Sequence, residues 1–293
     1  MRNPRSSSVA FRTAIYLAGI AVSVLLIAIF LSLLLSSRPA LVANGFRFLT
    51  GADWDPVTNT FHSLAFVVGT LLTSLIALVI ATVLALALAV LMGEYFKTGV
   101  FASVMRTAVE LLAGIPSIVY GFIGLFFLVP VVREVQIILG VPPFGVGILT
   151  SAILLAFMVL PYSASIGREM VSLVPMDLKE AALSLGATPS ETIWRVTLPY
   201  ARSGILGGVF LSLGRALGET MAVTMVIGNS NSLTLNLLAP GNTMASLIAN
   251  EFSEATGTVY LASLIEIALL LFVISTVINI LGKLVINRMV EAV

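Results

Sequence analysis

Six apolar stretches govern what this chain can fold into: residues 13–35, 64–92, 107–131, 146–166, 203–228 and 259–281. Each approaches or exceeds the roughly 20 residues that cross a hydrocarbon core as a helix. Where water is excluded, every backbone N–H and C=O must be satisfied internally, and a single stretch of this length does so as an α-helix. The expected fold is therefore an all-α polytopic membrane protein with six transmembrane helices. Composition agrees, since 59% of the 293 residues are hydrophobic, only 10% are charged, and the mean hydropathy is +1.11. Such values lie well outside those of a soluble domain. The first stretch follows Arg2, Arg5 and Arg12. It outlasts the apolar region of a signal peptide, about 7 to 15 residues, and lacks a small-residue cleavage pattern, so it reads as a retained helix.

An even number of spans puts both termini on one side, and the basic residues say which. With the N-terminus inside, Arg2, Arg5, Arg12, Lys97, Arg106, Arg168, Lys179, Arg195, Arg202, Lys283 and Arg288 are cytoplasmic, against Arg38, Arg47 and Arg133 outside. Lys and Arg concentrate in loops that stay inside. The expected layout is a cytoplasmic tail over 1–12, a transmembrane domain over 13–281 and a second cytoplasmic tail over 282–293. A net charge of +1 offers nothing to nucleic acid, and the bilayer is the expected surrounding.

Enzymatic chemistry is not expected. The chain has no cysteine, and His62 is its single histidine, so thiolate metal sites and His-Glu-x-x-His zinc helices are excluded, and no Ser/His/Asp constellation is evident. No Gly-x-x-x-x-Gly-Lys-Ser/Thr loop occurs, and Gly282-Lys283-Leu284 lacks its spacing and hydroxyl. This chain is expected to bind no cofactor; any ATP is used by another subunit.

The internal connection over 167–202 carries two helix-start signals. Asp177 with Glu180, just after Pro175, makes an N-cap and N3 pair. A helix from Leu178 would place Leu178, Ala181, Ala182 and Leu185 on one face and stop at Gly186, which suits a left-handed helix end. Thr188, Pro189 and Glu191 then open a second short helix bounded by Pro199. By themselves these features fit a hairpin lying on lipid headgroups.

Arg215 and Glu219 stand inside the fifth stretch, where an arginine costs about 2.5 to 3.5 kcal/mol at mid-membrane. At about 100° per residue, Gly204, Gly208, Ser212, Arg215 and Glu219 share an arc of about 80°. Gly204, Gly208 and Ser212 form a small-xxx-small stripe that lets helices pack closely. Two readings stay open. The charges form an ion pair that locks packing, or Arg215 offers its guanidinium fork to a passing oxyanion while Glu219 neutralises it in the empty path.

Glu180-Ala181-Ala182, then Gly186, nine residues, and Val196-Thr197-Leu198-Pro199 resemble the EAA loop of ABC-importer permeases, with Val196 where Ile is commoner. Gly214-Arg215-Ala216-Leu217-Gly218-Glu219-Thr220-Met221-Ala222-Val223 resembles the hallmark of PstC-type permeases of phosphate ABC transporters. Trp54-Asp55-Pro56, Gly69-Thr70-Leu71 and the run from Leu112 to Gly121 match as well, so the resemblance covers about Phe48 to Lys283. It implies a type I ABC importer permease fold with cytoplasmic coupling helices, in a bacterial inner membrane. It further implies a second permease of PstA type, two ATPases of PstB type, a phosphate-binding protein of PstS type, and inorganic phosphate as cargo. Arg215 and Glu219 would matter for transport, and Glu180, Ala181, Ala182, Gly186, Val196, Leu198 and Pro199 would meet the ATPase.

Pro116 should kink or interrupt the third span. Glu110 should sit near that span's cytoplasmic end and Glu266 within the last one. Trp54 reads as an interfacial anchor, or with Asp53 and Asp55 as a contact for the binding protein. The external segment 229–258 should form a polar cap with a short helix near 244–252. Rival functions are an ion-coupled secondary transporter, although no internal repeat of broken helices is evident; a channel, which would leave the capped loop without a role; and a permease for another oxyanion such as sulfate, molybdate or phosphonate.

Overall fold

The computed structural model describes residues 4–290. Arg2 therefore lies outside the described residues. Helix α1 (Pro4–Ser36) is followed by two short helices, α2 (Arg38–Asn44) and α3 (Arg47–Thr50), and by an antiparallel hairpin of β1 (Trp54–Asp55) and β2 (Thr60–Phe61). Helix α4 (Leu64–Val90) ends in a π-helical turn over Leu91–Tyr95. Next come α5 (Val100–Gly114), α6 (Ser117–Ile123), a second π turn over Gly124–Leu128, α7 (Val129–Ile138) and α8 (Ile148–Ser172). The connection after α8 folds as α9 (Met176–Ser184) and α10 (Pro189–Thr192), and a third π turn, Ile193–Thr197, leads into α11 (Leu198–Leu217). The chain closes with α12 (Met221–Val226), α13 (Met244–Glu251) and α14 (Thr258–Val290).

Six helical segments among the described residues are long and apolar enough to cross a membrane: Phe11–Ser36, Leu64–Tyr95, Ser117–Ile138, Ile148–Ser172, Pro189–Leu217 and Thr258–Met289. The all-α polytopic fold is thus as expected, with two corrections. The third span does not run over 107–131. Ile115 and Pro116 are extended (ψ 128° and 141°), and the span begins only at Ser117. Pro116 has no N–H to return to Leu112 and disfavours helical geometry at Ile115. Glu110 consequently lies on α5, before the break rather than within the span.

The fifth span is shifted toward its N-terminus. Instead of two short helices closed by Pro199, α10 continues through the π turn into α11, so one helical rod runs from Pro189 to Leu217. The wider winding just before Pro199 accommodates a residue with no N–H to donate to Arg195. The rod stops at Gly218, and α12 starts afresh after it. Helix also continues beyond the expected spans at both ends, α1 beginning at Pro4 and α14 carrying Lys283 and Arg288 on its extension to Val290.

Helix α8 is the centre of the bundle: 72% of its membrane window is buried, against 0% for α1 and about a third or less for the others. Ala77, Ala81 and Ala85 of α4, at every fourth residue, pack on Leu155, Ala156, Val159 and Ala164 of α8. Small side chains at that spacing let two backbones close to full van der Waals contact, the main attraction between helices in lipid.

A second cluster, outside the bundle, joins Phe48, Trp54, Phe61 and Phe66 to Met244, Leu247, Tyr260 and Leu264. Trp54 belongs to it, which places the ring in an aromatic core and corrects its expected role as an interfacial anchor. It is 7% exposed, meets the rings of Phe61 and Phe66 edge-on at 4.9 and 5.2 Å, and donates its indole N–H to Glu251 Oε2 at 2.7 Å. The short helix expected near 244–252 appears as α13, with Thr243 Oγ1 accepting from Ser246 N at 3.1 Å. This cap is seated on α4 where Asn242 O fills the space a side chain on Gly69 would need, and Met244 N donates to Thr70 Oγ1 at 3.0 Å.

Candidate functional site

The stripe Gly204, Gly208 and Ser212 fixes where Arg215 points. Met170 of α8 covers Gly204, Ile166 lies 3.0 Å from where a Gly208 Cβ would be, and Ser212 Oγ shares a 2.7 Å hydrogen bond with Ser163 Oγ. The packing face expected from the sequence is thus turned onto α8. Arg215, in the last turn of α11, is displaced to the border of that contact and is exposed. Its guanidinium carbon rests 4.7 Å from the centroid of the Tyr162 ring.

Glu219 does not share that helix. Helix α11 ends at Leu217, and Glu219 falls in the break, where its Oε1 accepts from Ala222 N at 3.2 Å and caps α12. Neither ion pair among the described residues includes Arg215 or Glu219. The locking ion pair, and the neutralisation of Arg215 by Glu219, are therefore absent from this conformation. The i,i+4 geometry they require is lost once Gly218 stops the helix.

Tyr162, Leu211, Gly214, Arg215 and Asn279 line a cleft of about 370 Å³. Gly214 permits the approach of Asn279, whose Oδ1 lies 3.3 Å from where a Cβ would stand. Asn279 Nδ2 donates to Ser275 O at 2.9 Å. A guanidinium lying on a ring keeps its edge N–H donors available, and a planar fork of donors suits a tetrahedral oxyanion.

Two tyrosines that the sequence reading did not single out tie this cleft to the broken third span. Tyr162 OH donates to Ala113 O at 3.1 Å, and Tyr120 OH donates to Leu112 O at 2.9 Å. Both carbonyls belong to the last turn of α5, where regular i→i+4 bonding ends; Leu112 O also accepts from Ile115 N at 3.4 Å. The available signal was their position, Tyr120 just past Pro116 and Tyr162 beside Pro161. Tyr162→Phe keeps the ring under Arg215 and loses one hydrogen bond, so transport should fall no more than about tenfold. Tyr162→Leu removes both contacts and should fall further, by about 10- to 100-fold. Initial uptake rates of the two variants check this; equal rates would deny the ring its role.

In the connection after α8, α9 starts two residues earlier than expected, at Met176. Pro175 is its N-cap and no side chain caps it, so the Asp177–Glu180 capping pair is not formed. The remaining signals hold: Gly186 has φ +90°, and Thr188 and Glu191 make a reciprocal capping box. Glu180, Ala181, Gly186 and Pro199 are exposed, whereas Ala182, Val196 and Leu198 are half-buried. Around them Met176, Leu178, Leu183 and Leu185 present apolar surface, Leu185 at 89% exposure. On the opposite side of the molecule, Asp53 and Asp55 border an open polar cleft of about 780 Å³ with Thr58, Thr60, Asn231 and Ser232. Hydrogen bonds from the Thr58 side chain and Val57 N hold the Asp55 carboxyl below its usual range.

Comparison with known proteins gives a consistent picture. Residues 85–291 match the family model of the binding-protein-dependent transport system inner membrane component. The phosphate transport system permease protein PstC of Mesorhizobium japonicum is 43% identical over 286 residues, covering 92% of this chain and 87% of that protein. PstC of Pasteurella multocida is 40% identical, covering 95% and 91%, and a probable PstC of Methanocaldococcus jannaschii is 35% identical, covering 88% and 87%. Among solved structures, an inward-facing MetNI methionine ABC transporter chain aligns with a TM-score of 0.59 at 17% identity, covering 81% of this chain and 99% of that one. The exposed EAA loop, the six-span fold and these relatives together place the chain in the binding-protein-dependent ABC importer permeases, among those of PstC type.

Proposed function

We propose that this chain is one of two permease subunits through which an ATP-driven importer moves inorganic phosphate into the cytoplasm, with Arg215 as the group that the anion meets. The observation that carries the reading is Arg215 itself: an exposed arginine in a membrane span, seated on an aromatic ring beside a cleft, with no carboxylate paired to it among the described residues. A permanent positive charge in such a place suits a site that anions enter and leave. Phosphate as the cargo is supported by the names of the relatives and by the Gly214–Val223 motif.

In this reading a PstA-type permease faces the Arg215 cleft, two PstB-type subunits hydrolyse ATP against the surface around Glu180, Ala181, Ala182 and Gly186, and a PstS-type protein delivers phosphate to the external face. Both termini are cytoplasmic, as the distribution of basic residues supports. Glu219 acts by charge near the path rather than as a direct partner of Arg215. The test is uptake of radiolabelled phosphate by the four-component system in proteoliposomes. ATP-dependent uptake inhibited by arsenate and indifferent to sulfate is expected. Equal inhibition by sulfate would overturn phosphate as the cargo, and uptake without the ATPase would overturn the ABC assignment.

A further inference from the structure

Glu94 closes the π turn at the cytoplasmic end of α4, in a residue run that no transport motif covers. Lys179 of α9 pairs with Glu94 Oε1, Thr197 Oγ1 at the start of α11 donates to the same oxygen at 3.4 Å, and Lys97 Nζ lies 3.2 Å from Oε2. The Lys179 and Glu94 side chains are only 7% and 12% exposed, so this is a nearly buried ion pair, unlike the outlying Lys97 at 43%. Lys179 is also the one buried side chain on a helix that otherwise presents itself to solvent.

The topology gives the contact its meaning. The covalent chain joins α9 to α8 before it and to α10 and α11 after it; nothing covalent joins α9 to the second span. Among the described residues, Lys179–Glu94 is the polar tie from α9 to that span. Gly93, next to Glu94, is packed so tightly on α8 that a Cβ there would stand 2.6 Å from Val171 Cγ1. One carboxylate thus gathers the ends of the second and fifth spans and the coupling helix at a point already wedged against the fourth.

We propose that Glu94 is the latch that makes α9 and the second and fifth spans move as one body, so that displacement of α9 by the ATPase reaches the Arg215 cleft instead of being absorbed by the α9 connections. Removing Glu94 leaves the nearly buried Lys179 without its counter-ion, and removing Lys179 leaves Glu94 only the more exposed Lys97 on its own segment, so either change favours detachment of α9 from the second span. The proposal rests on the reading that α9 meets the ATPase, and Glu94 is a positioning residue in it, touching neither phosphate nor ATP.

The test uses the reconstituted four-component transporter and reads phosphate taken up per ATP hydrolysed. Glu94→Gln and Lys179→Met should each lower that ratio at least tenfold while the complex still co-purifies, because hydrolysis continues without transmitted movement. The reversed pair, Glu94→Lys with Lys179→Glu, is placed in a Lys97→Ala background to remove the neighbouring cation, and should recover at least half the ratio. Single variants with an unchanged ratio, or a reversed pair no better than the singles, would overturn the latch. A separate measurement isolates the underlying reading: the chain has no cysteine, so Ala181→Cys is a lone thiol to cross-link to an engineered cysteine on the ATPase. A cross-link that persists in Glu94→Gln alongside a lowered ratio supports the latch. No cross-link in the parent complex sinks the docking reading and the latch with it, whereas a cross-link without rescue by the reversed pair sinks the latch alone.

Discussion

Arg215→Gln is expected to lower phosphate uptake at least 100-fold while the complex purifies and melts as the parent does. Glutamine keeps a polar, hydrogen-bonding side chain, though a shorter one, and removes the charge and the fork. Losing one member of a desolvated charge contact costs about 2 to 5 kcal/mol, and about 2.8 kcal/mol corresponds to 100-fold. Because Arg215 is exposed and makes no ion pair among the described residues, folding should change by no more than the Tyr162 ring contact is worth, about 0.5 to 1 kcal/mol. Arg215→Lys keeps the charge without the planar fork and should fall between the two. Glu219→Gln is the companion: its amide oxygen can still accept from Ala222 N, so the cap on α12 survives and any loss of uptake reports the missing charge. That loss is expected to be at least tenfold. Normal uptake in both Arg215→Gln and Glu219→Gln would end the anion-path reading.

Gly69→Val should be the most damaging single change outside the path. The atom facing Gly69 is the backbone oxygen of Asn242, which cannot rotate away as a side-chain end can. A larger residue must push the 242–244 segment off α4, breaking the bond from Met244 N to Thr70 Oγ1 and loosening the seat of α13. Overpacking of this kind costs about 1 to 3 kcal/mol and more where backbone must move. The upper part of that range is expected here, read as reduced membrane abundance and a melting temperature lowered by several degrees. Gly19→Ala is the control, because open space surrounds Gly19 on α1, and alanine should stabilise its helix by about 0.5 to 1 kcal/mol. Equal effects of the two changes would refute the close-approach account.

The helices and their positions were largely legible, because the need to satisfy backbone groups in lipid leaves so few forms to choose from. The stripe Gly204, Gly208, Ser212 was legible for a related reason: its period is local, so its face follows from spacing alone. The relation between Arg215 and Glu219 was not. It presumed a helix running through Gly218, and a one-residue interruption turns i,i+4 neighbours into groups with separate partners, Tyr162 and Ala222. Contacts that depend on tertiary closure were also hidden. Glu94 meets partners 85 and 103 residues away, and the Trp54 indole reaches across 197 residues to Glu251. Without those partners, Lys179 reads as one more loop cation and Trp54 as an interfacial ring.

The wide turn over Ile193–Thr197 gives chain length a meaning that residue identity does not carry. A π turn holds one residue more than regular winding, and one residue is worth about 100° of rotation about the helix axis. The wide turn therefore absorbs one extra position between the capping box at Thr188 and the α8-facing stripe while keeping the two close to the phase of a regular helix. Deleting one residue there would let the rod return to ordinary α winding with its two ends still close to phase, while shortening by one the spacing between Gly186 and the Val196–Pro199 run.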